Sequence, residues 1–123
     1  MSRRYISRNP DQPFADALLV DDKTLYISGR IGFIPGTRKL PAEIDAEATN
    51  LMQDLKDILT AADMTMDDIV SLTVYSPDVS LWERFNVVYR SFFTGPLPPR
   101  AFIGSGKLLF GAHFEIQGIA VKP

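Results

Sequence analysis

Short apolar runs in the first part of the chain, separated by turn-forming residues, are typical of β-strands. Three short strands are predicted at residues 5–6, residues 15–20 (ADALLV) and residues 24–28 (TLYIS). A turn at residues 21–23, Asp-Asp-Lys, joins the second strand to the third. The glycines and prolines of residues 29–41 then predict an irregular loop.

The pattern changes to that of a helix after this loop. Apolar residues recur every three or four positions on one side, and polar residues fill the other side. Acidic residues early in the segment suit the positive end of a helix dipole. The pattern predicts one long amphipathic helix with the polar positions Glu43, Glu47, Asn50, Asp54 and Asp57 and the apolar positions Ile44, Ala48, Leu51, Leu55, Ile58, Leu59 and Ala62.

A second, shorter helix is predicted in the second half of the chain. Ser80 and Glu83 have the spacing of a capping box, which indicates a helix start. The Gly-Pro pair at residues 95–96 predicts the helix end. The apolar positions that face the core are Leu81, Phe85, Val88, Tyr89, Phe92 and Phe93.

Strands are predicted on both sides of this second helix. Val70, Leu72 and Val74 alternate with polar residues and indicate a half-buried strand before it, and residues 96–123 contain two more strand-like runs. The order strand-strand-strand-helix-strand-helix-strand-strand predicts an α+β fold in one domain, residues 1–123. Both helices are expected on one face of the sheet.

The second face of this sheet also carries apolar side chains. Leu18 and Val20 alternate with Ala17 and Leu19, so neither side of that strand is polar. Two helices can cover only one side of a sheet. We therefore expect another copy of the chain to shield the other side.

Composition and charge narrow the possible functions. The chain has 123 residues, a net charge of −2 and an isoelectric point near 5.3, so no overall positive field favours nucleic acid. A basic pair lies at Arg3-Arg4. Cysteine is absent, which excludes disulfides and thiolate chemistry, and His113 is the only histidine. We expect neither a metal nor a cofactor.

Targeting signals are not evident in the sequence. Residues 1–12 contain no apolar stretch of signal-peptide length, and nowhere do about 18 apolar residues run together. We therefore expect a cytoplasmic protein without a membrane partner.

The last quarter of the chain holds two charged residues within apolar runs, Arg100 and Glu115. Burying an unpaired charge is costly, so the pair indicates a site for a small polar molecule. Arg100 follows two prolines that hold the backbone extended. Its forked guanidinium can bind a carboxylate through two parallel hydrogen bonds. A surface ion pair is the alternative interpretation.

Glu115 is the candidate acid or base. Strand alternation places it on the same side as His113, and in a partly dry cleft its carboxyl can transfer protons. A rim ion pair for Glu115 and a solvated strand end for His113 are the alternatives. Residues 105–112 are long enough for a hairpin or for a crossing over another strand, so spacing leaves open whether Arg100 and Glu115 meet.

Other polar groups are weaker candidates. Ser28 and Gly29 begin the glycine-containing loop, whose backbone amides can line a ligand site, although an ordinary turn is the alternative. Ser28 has no partner base in the sequence, which argues against a serine nucleophile. Asn86 lies off the apolar stripe of the second helix and can reach a neighbouring loop or subunit.

Several of these residues belong to a pattern that resembles a known family. The motif PPRA at residues 98–101, followed by Gly106, Leu108 and the pair Glu115-Ile116, resembles the C-terminal signature of the RidA family. The segment Ile-Ser-Gly at residues 27–29, before a loop with Ile31, and FNVVY at residues 85–89 also match. The order of elements agrees over essentially the whole chain.

The resemblance implies a chorismate-mutase-like α+β fold and a homotrimer with clefts between subunits. It implies an enzyme that hydrolyses reactive enamines and imines, such as 2-aminoacrylate and 2-iminobutanoate, to 2-keto acids and ammonia. In that family the arginine matching Arg100 binds the substrate carboxylate, and the glutamate matching Glu115 handles the water and the proton transfers. The loop matching Ser28 and Gly29 lines the cleft.

The chain departs from the family pattern inside the implied cleft. Phe14 stands where the family often has a tyrosine, and Phe102 stands where many members have a cysteine. Arg30 and Gly32 replace a glutamine and a proline, and Arg30 adds a cation that can favour a dicarboxylate. The implied substrate-binding residues are Phe14, Ser28, Gly29, Arg30, Ile31, Asn86 and Phe102.

Two other classes of function stay open. A non-catalytic protein that binds small carboxylates or a partner enzyme would use the same clefts. A ribonuclease or translation inhibitor, a name often attached to the family, is the third class. The acidic isoelectric point, the single histidine and the absence of a basic groove argue against it.

Overall fold

In a computed structural model, which describes all residues from Met1 to Pro123, the chain forms six strands and two helices. Their order along the chain is the predicted one. Short 3₁₀ turns occupy Met66–Asp68, Val79–Leu81 and Leu109–Gly111. The strands are β1 (Arg3–Ile6), β2 (Ala17–Val20), β3 (Thr24–Ile31), β4 (Ile69–Ser76), β5 (Arg100–Gly104) and β6 (Glu115–Val121), and the helices are α1 (Ile44–Ala61) and α2 (Trp82–Arg90).

All six strands form one mixed sheet in the order β1-β2-β3-β6-β4-β5. β4 and β5 run parallel, and every other neighbouring pair runs antiparallel. The last strand, β6, is inserted in the middle of the sheet. Residues 105–112 therefore cross over β4 instead of closing a hairpin, and β5 is left at the sheet edge. The predicted α+β class is confirmed.

The core lies between the two helices and one face of the sheet. Leu51 of α1, Phe85 of α2 and Leu25 of β3 have no exposed surface. The rings of Phe85 and Phe114 lie 4.8 Å apart between centroids. Burying a side chain of this size contributes about 1.5–3 kcal/mol, so the helical period seen in the sequence also marks the residues that stabilise the fold.

The opposite face of the sheet, called the outer face below, is apolar and uncovered in a single chain. Tyr5, Leu18, Tyr26 and Ile119 lie level with one another across β1, β2, β3 and β6. Tyr5 is 63% exposed and Tyr26 is 50% exposed. An apolar row of this kind is typical of a surface that meets another protein surface.

Helix α1 follows the predicted stripe with one exception. Glu47 was expected on the polar side, but it is only 1% exposed and faces the core. Hydrogen bonds from the backbone N–H groups of His113 and Phe114 to its carboxylate make this burial possible. The periodicity of apolar residues could not predict this burial, because the two N–H groups come from a distant part of the sequence.

Helix α2 begins and ends differently from the prediction. The capping box of Ser80 and Glu83 is wrong, because the Asp78 carboxylate caps this region by accepting from the Ser80 N–H at 3.0 Å. The helix ends at Arg90, well before the predicted Gly-Pro stop, and the chain continues in tight turns with bonds three residues apart. These turns still bring Phe92 and Phe93 against the core.

Irregular pairing changes two of the predicted strands. A register shift between Ile69 and Ser71 turns Val70 outwards, where it is 44% exposed, and Ile69 takes the buried position instead. A second shift lies between Ile27 and Arg30. β3 continues beyond it to Ile31, into the segment predicted as loop, because β6 pairs with that extension.

We expect Phe85→Ala to lower the free energy of unfolding by about 3–5 kcal/mol, because it opens a cavity among fully packed rings. Val87→Ala on the same helix is the matched control, since Val87 is 73% exposed. Its effect should stay within about 0.5 kcal/mol. Urea unfolding of the three proteins measures both values, and equal midpoints for both variants would contradict the assigned core.

Candidate functional site

Arg100 is the first residue of β5 and lies level with the buried Leu72, so its side chain is on the helix side of the sheet. Its Nη2 donates to the Asn86 side-chain oxygen at 2.8 Å. The guanidinium carbon lies 4.5 Å from the centroid of the Tyr89 ring. Two further rings, those of Phe85 and Phe102, lie at 5.8 and 5.7 Å. These residues are called the arginine half-site below.

No carboxylate forms a salt bridge with Arg100. Burial lowers the pKa of Arg100 from its ordinary value, while the neighbouring Tyr89 acts in the opposite direction. An arginine keeps its proton at neutral pH even so. The half-site therefore offers a desolvated cation, held by one amide and three aromatic rings, with donors free for an anion.

Glu115 begins β6 and lies level with Tyr75 of β4 and Ile31 of β3 on the outer face. Its carboxylate rests against Gly29. A Cβ atom added to Gly29 would lie 2.5 Å from the nearer Glu115 carboxylate oxygen, so the carboxylate occupies the space that the glycine leaves open. Glu115, Gly29, Ser28 and Ile31, with Phe14, which immediately precedes the Ala15 bonded by Ser28, are called the glutamate half-site below.

Within one chain the two half-sites do not meet. Arg100 and Glu115 are separated by two strand spacings and three residues of register, which puts their Cα atoms roughly 14 Å apart. They also point to opposite faces of the sheet. A single small molecule cannot touch both groups of the same chain.

The loop side of the glutamate half-site is shaped by the register shift in β3. Ser28 and Gly29 fall within the shift and are not paired with β6. The Ser28 hydroxyl donates to the Ala15 carbonyl at 2.6 Å, and its N–H donates to the Asp16 carbonyl at 3.0 Å. These bonds fix the bend. The bond to Ala15 also occupies the hydroxyl proton of Ser28, so this hydroxyl is poorly suited to act as a nucleophile.

Arg30 does not offer a free cation. Its guanidinium is bonded to Asp16 at 2.8 Å and to Asp54 at 2.7 Å, and its side chain is 12% exposed. Arg8 contacts the same two carboxylates at 3.0 and 2.7 Å. This geometry does not support the expectation that Arg30 reaches a ligand. It instead ties β3 to α1 beside Ser28 and Gly29.

Asp16 is the centre of this ion network and is 1% exposed. Burial alone would raise the pKa of Asp16, but hydrogen bonds from Arg8 and Gln12 and the charge of Arg30 outweigh it. The pKa is therefore held well below its usual range. No sequence pattern marked Asp16, because its partners, Arg8 and Gln12 in one segment and Arg30 in another, are brought to it by the fold.

The remaining predicted site residues are distributed between the half-sites. Phe14 is 50% exposed, and Phe102 is partly buried with its ring 5.8 Å from that of Phe85. His113 lies before β6, and its Nδ1 is 2.8 Å from the buried Glu47 carboxylate. The prediction that His113 lies on the same side of the sheet as Glu115 is therefore wrong, because His113 turns towards α1 and Glu115 lies on the outer face. Tyr89 was assigned only to the core, yet it also stacks on Arg100.

A shallow depression of about 230 Å³ adjoins Ser28 on the sheet. It contains neither Arg100 nor Glu115 and is lined by Ala15, Ala17, Leu18, Tyr26, Ile27 and Ser28. No group of three or more His, Cys, Asp or Glu side chains is arranged to hold a metal ion. Neither helix has the length and apolar character needed to cross a membrane.

The fold agrees with comparisons to known proteins. The sequence model of the family described as "Endoribonuclease L-PSP" matches residues 6–122, so the chain belongs to this family. The resemblance to RidA proteins drawn from the sequence is thereby confirmed, since solved structures that share this fold include a RidA.

Individual relatives support the same assignment. A protein of Mus musculus named "2-iminobutanoate/2-iminopropanoate deaminase" is 35% identical over 111 residues, which is 89% of this chain and 82% of that protein. RidA from Psychrobacter sp. PAMC 21119 is 29% identical with a TM-score of 0.86 over 94% of each chain. Escherichia coli TdcF with bound serine is 26% identical with a TM-score of 0.87 over 95% of this chain and 94% of that one.

Replacing Asp16 by asparagine tests the ion network. We expect Asp16→Asn to be less stable by about 1–3 kcal/mol at neutral pH, because Arg8 and Arg30 lose a charged partner but keep Asp54. The pKa of Asp16 is lowered in the fold, so this advantage of the wild type is complete above the ordinary aspartate pKa of about 3.9. It should shrink as the pH falls further and Asp16 gains a proton.

Urea unfolding of both proteins between neutral and strongly acidic pH measures this difference. A stability gap that stays constant over the whole range would contradict the lowered pKa of Asp16.

Proposed function

We propose that this protein hydrolyses small 2-imino and 2-enamino acids to 2-keto acids and ammonia. The observation that carries the proposal is Arg100, a partly buried guanidinium with no carboxylate partner. A group of this kind is suited to bind the carboxylate of a small acid. The deaminase names of relatives at about a third identity support the reaction type.

The proposal requires that the two half-sites come from different subunits. Arg100 and Asn86 lie at the β5 edge of one chain, whereas Glu115 and Gly29 lie on the outer face. The apolar row on that face gives a second copy a surface to cover. We propose a homotrimer, the assembly implied by the resemblance, in which the arginine half-site of one subunit faces the glutamate half-site of the next.

The chemistry needs few groups because a protonated imine beside a carboxylate is already electrophilic. Arg100 holds the substrate carboxylate and thereby orients the imine carbon. Glu115 accepts a proton from a water molecule while the water oxygen bonds to the imine carbon, which gives a tetrahedral adduct. The same carboxyl returns the proton to the nitrogen and then accepts the hydroxyl proton of the adduct as the carbon–nitrogen bond breaks and the carbonyl forms. The departing ammonia takes this proton from the carboxyl and leaves as ammonium, which regenerates the carboxylate. An enamine enters this sequence after protonation of its carbon.

The other half-site residues define the size and character of the substrate. Phe14 and Phe102 place apolar rings in the two half-sites, so we expect a preference for apolar side chains on the substrate. Arg30 has a structural role and does not bind the substrate, because its guanidinium is already paired with Asp16 and Asp54. We treat residues 1–123 as one RidA-like domain that needs no cofactor for this reaction.

Single substitutions test the reaction. In an assay in which a dehydratase generates the enamine, wild-type protein should accelerate ketoacid formation. Arg100→Ala should lower kcat/KM at least about 100-fold, because a desolvated charge pair is lost. Glu115→Gln should lower kcat by about 10² to 10⁴-fold. Arg84→Ala is the matched control, since Arg84 forms only an exposed pair with Asp45. A wild-type rate equal to that of buffer would refute the proposal.

Mixing two inactive variants tests the shared site. In trimers refolded from equal amounts of Arg100→Ala and Glu115→Gln, up to about one quarter of the sites combine an intact arginine with an intact glutamate. We therefore expect up to about a quarter of the wild-type rate to return. No return of activity in mixtures shown to contain both chains would mean that each site uses a single chain.

A second candidate is a non-catalytic protein that binds small carboxylates. The TdcF structure contains serine, a stable amino acid and not an imine. Saturable binding of a 2-keto acid that depends on Arg100, with no acceleration of ketoacid formation, would favour this candidate over the enzyme.

A further inference from the structure

Glu47 is a buried carboxylate outside both half-sites. It lies in the first turn of α1 and is 1% exposed. One carboxylate oxygen accepts from the His113 N–H at 2.7 Å and from the Phe114 N–H at 3.2 Å. The other oxygen lies 2.8 Å from Nδ1 of His113. Three partners from one short segment compensate the desolvation of the carboxylate.

The position of these partners links Glu47 to Glu115. His113 and Phe114 are the two residues immediately before Glu115, so their N–H groups set where β6 begins. The backbone of Glu47 also packs against Gly32, where an added Cβ would collide with the Glu47 carbonyl oxygen. Gly32 immediately follows Ile31, the strand partner of Glu115. Glu47 therefore contacts the chain beside both members of this pair.

The Glu115 carboxylate lies close against the backbone at Gly29. Its nearer carboxylate oxygen is packed so closely on Gly29 that a single added carbon would come within 2.5 Å. A small displacement of the start of β6 would therefore move the carboxylate relative to Gly29 and Ser28. General acid–base catalysis depends on such distances within a few tenths of an ångström to one ångström.

We propose that Glu47 and His113 form a positioning pair that sets the location of Glu115. The effect of this pair on catalysis rests on the proposed function, in which Glu115 transfers protons. An ionised carboxylate has only acceptors, so the imidazole donates from Nδ1 and leaves Nε2 towards solvent. The imidazole ring is 46% exposed while the carboxylate is 1% exposed. The pair acts on the reaction through the backbone of residues 113–115.

Kinetics of Glu47 variants test the proposal. Glu47→Ala removes the acceptor of two buried N–H groups, and we expect kcat per folded molecule to fall at least about tenfold. KM should change less than about twofold, because Arg100 lies on β5 and keeps its partners. Glu47→Gln retains an oxygen for both N–H groups and should restore kcat to within about threefold of wild type.

Asp57→Ala is the matched control, because Asp57 is an exposed carboxylate on the same helix and bonds only to Gln53. It should leave kcat and KM unchanged. If Glu47→Ala only lowers the melting temperature while kcat and KM per folded molecule equal those of wild type, the positioning role is refuted. Equal impairment of Glu47→Gln and Glu47→Ala would also overturn it.

Nuclear magnetic resonance tests the pair without any activity. The chain has a single histidine, so its ring nitrogens are unambiguous. At alkaline pH the wild type should carry the proton on Nδ1, and Glu47→Gln should move it to Nε2, since the amide then donates. The amide signals of Phe114 and Glu115 should shift in Glu47→Ala and stay near wild type in Glu47→Gln.

These results separate the two proposals. An inactive wild type whose histidine tautomer and amide signals behave as described would refute the deaminase function and support the positioning pair. The same tautomer in wild type and Glu47→Gln, or unshifted Phe114 and Glu115 amides in Glu47→Ala, would refute the pair whatever the activity.

Discussion

The pairing of β6 with both β3 and β4 is the interaction on which the rest of the structure depends. It turns three separate pieces of chain into one sheet and leaves β5 at the edge. It also decides the chemistry, because it places Glu115 beside Ile31 and Gly29 and keeps it away from Arg100 of the same chain. A hairpin between the last two strands could have brought Arg100 and Glu115 of the same subunit close together. The inserted strand divides them between two faces and makes association part of the proposed mechanism.

Buried charges are compensated in three different ways, and each way indicates a different role. Arg30 is neutralised by Asp16 and Asp54, which makes it a structural link. Glu47 is solvated by peptide N–H groups and an imidazole, which makes it a point of attachment for β6. Arg100 has one amide and aromatic rings but no acid. Only this last arrangement leaves a charge that a small anion can still satisfy.

Sequence patterns predicted the parts of the fold that depend on local periodicity. The stripe of α1 and the alternation of Leu72 and Val74 with polar residues in β4 were visible because solvent and core act on every third, fourth or second residue. Predictions failed where a partner distant in sequence changed the local preference. Glu47 looked like a surface residue, Val70 was turned outwards by a register shift, and Asp78 replaced the predicted cap at Ser80. For the site, the sequence indicated Arg100 and Glu115 as unusual charges but could not relate their positions.

The sequence by itself determined the class of fold, the family and the two charged residues that stand in apolar strands. These follow from residue type and spacing, which need no coordinates. The tertiary structure decided that Arg30 is bound by carboxylates, that His113 is held by Glu47 and that Arg100 and Glu115 lie on opposite faces. The physical reason is that burial and hydrogen bonding depend on which strands become neighbours. That choice was set by the insertion of β6, which the length of its connection permitted but did not require.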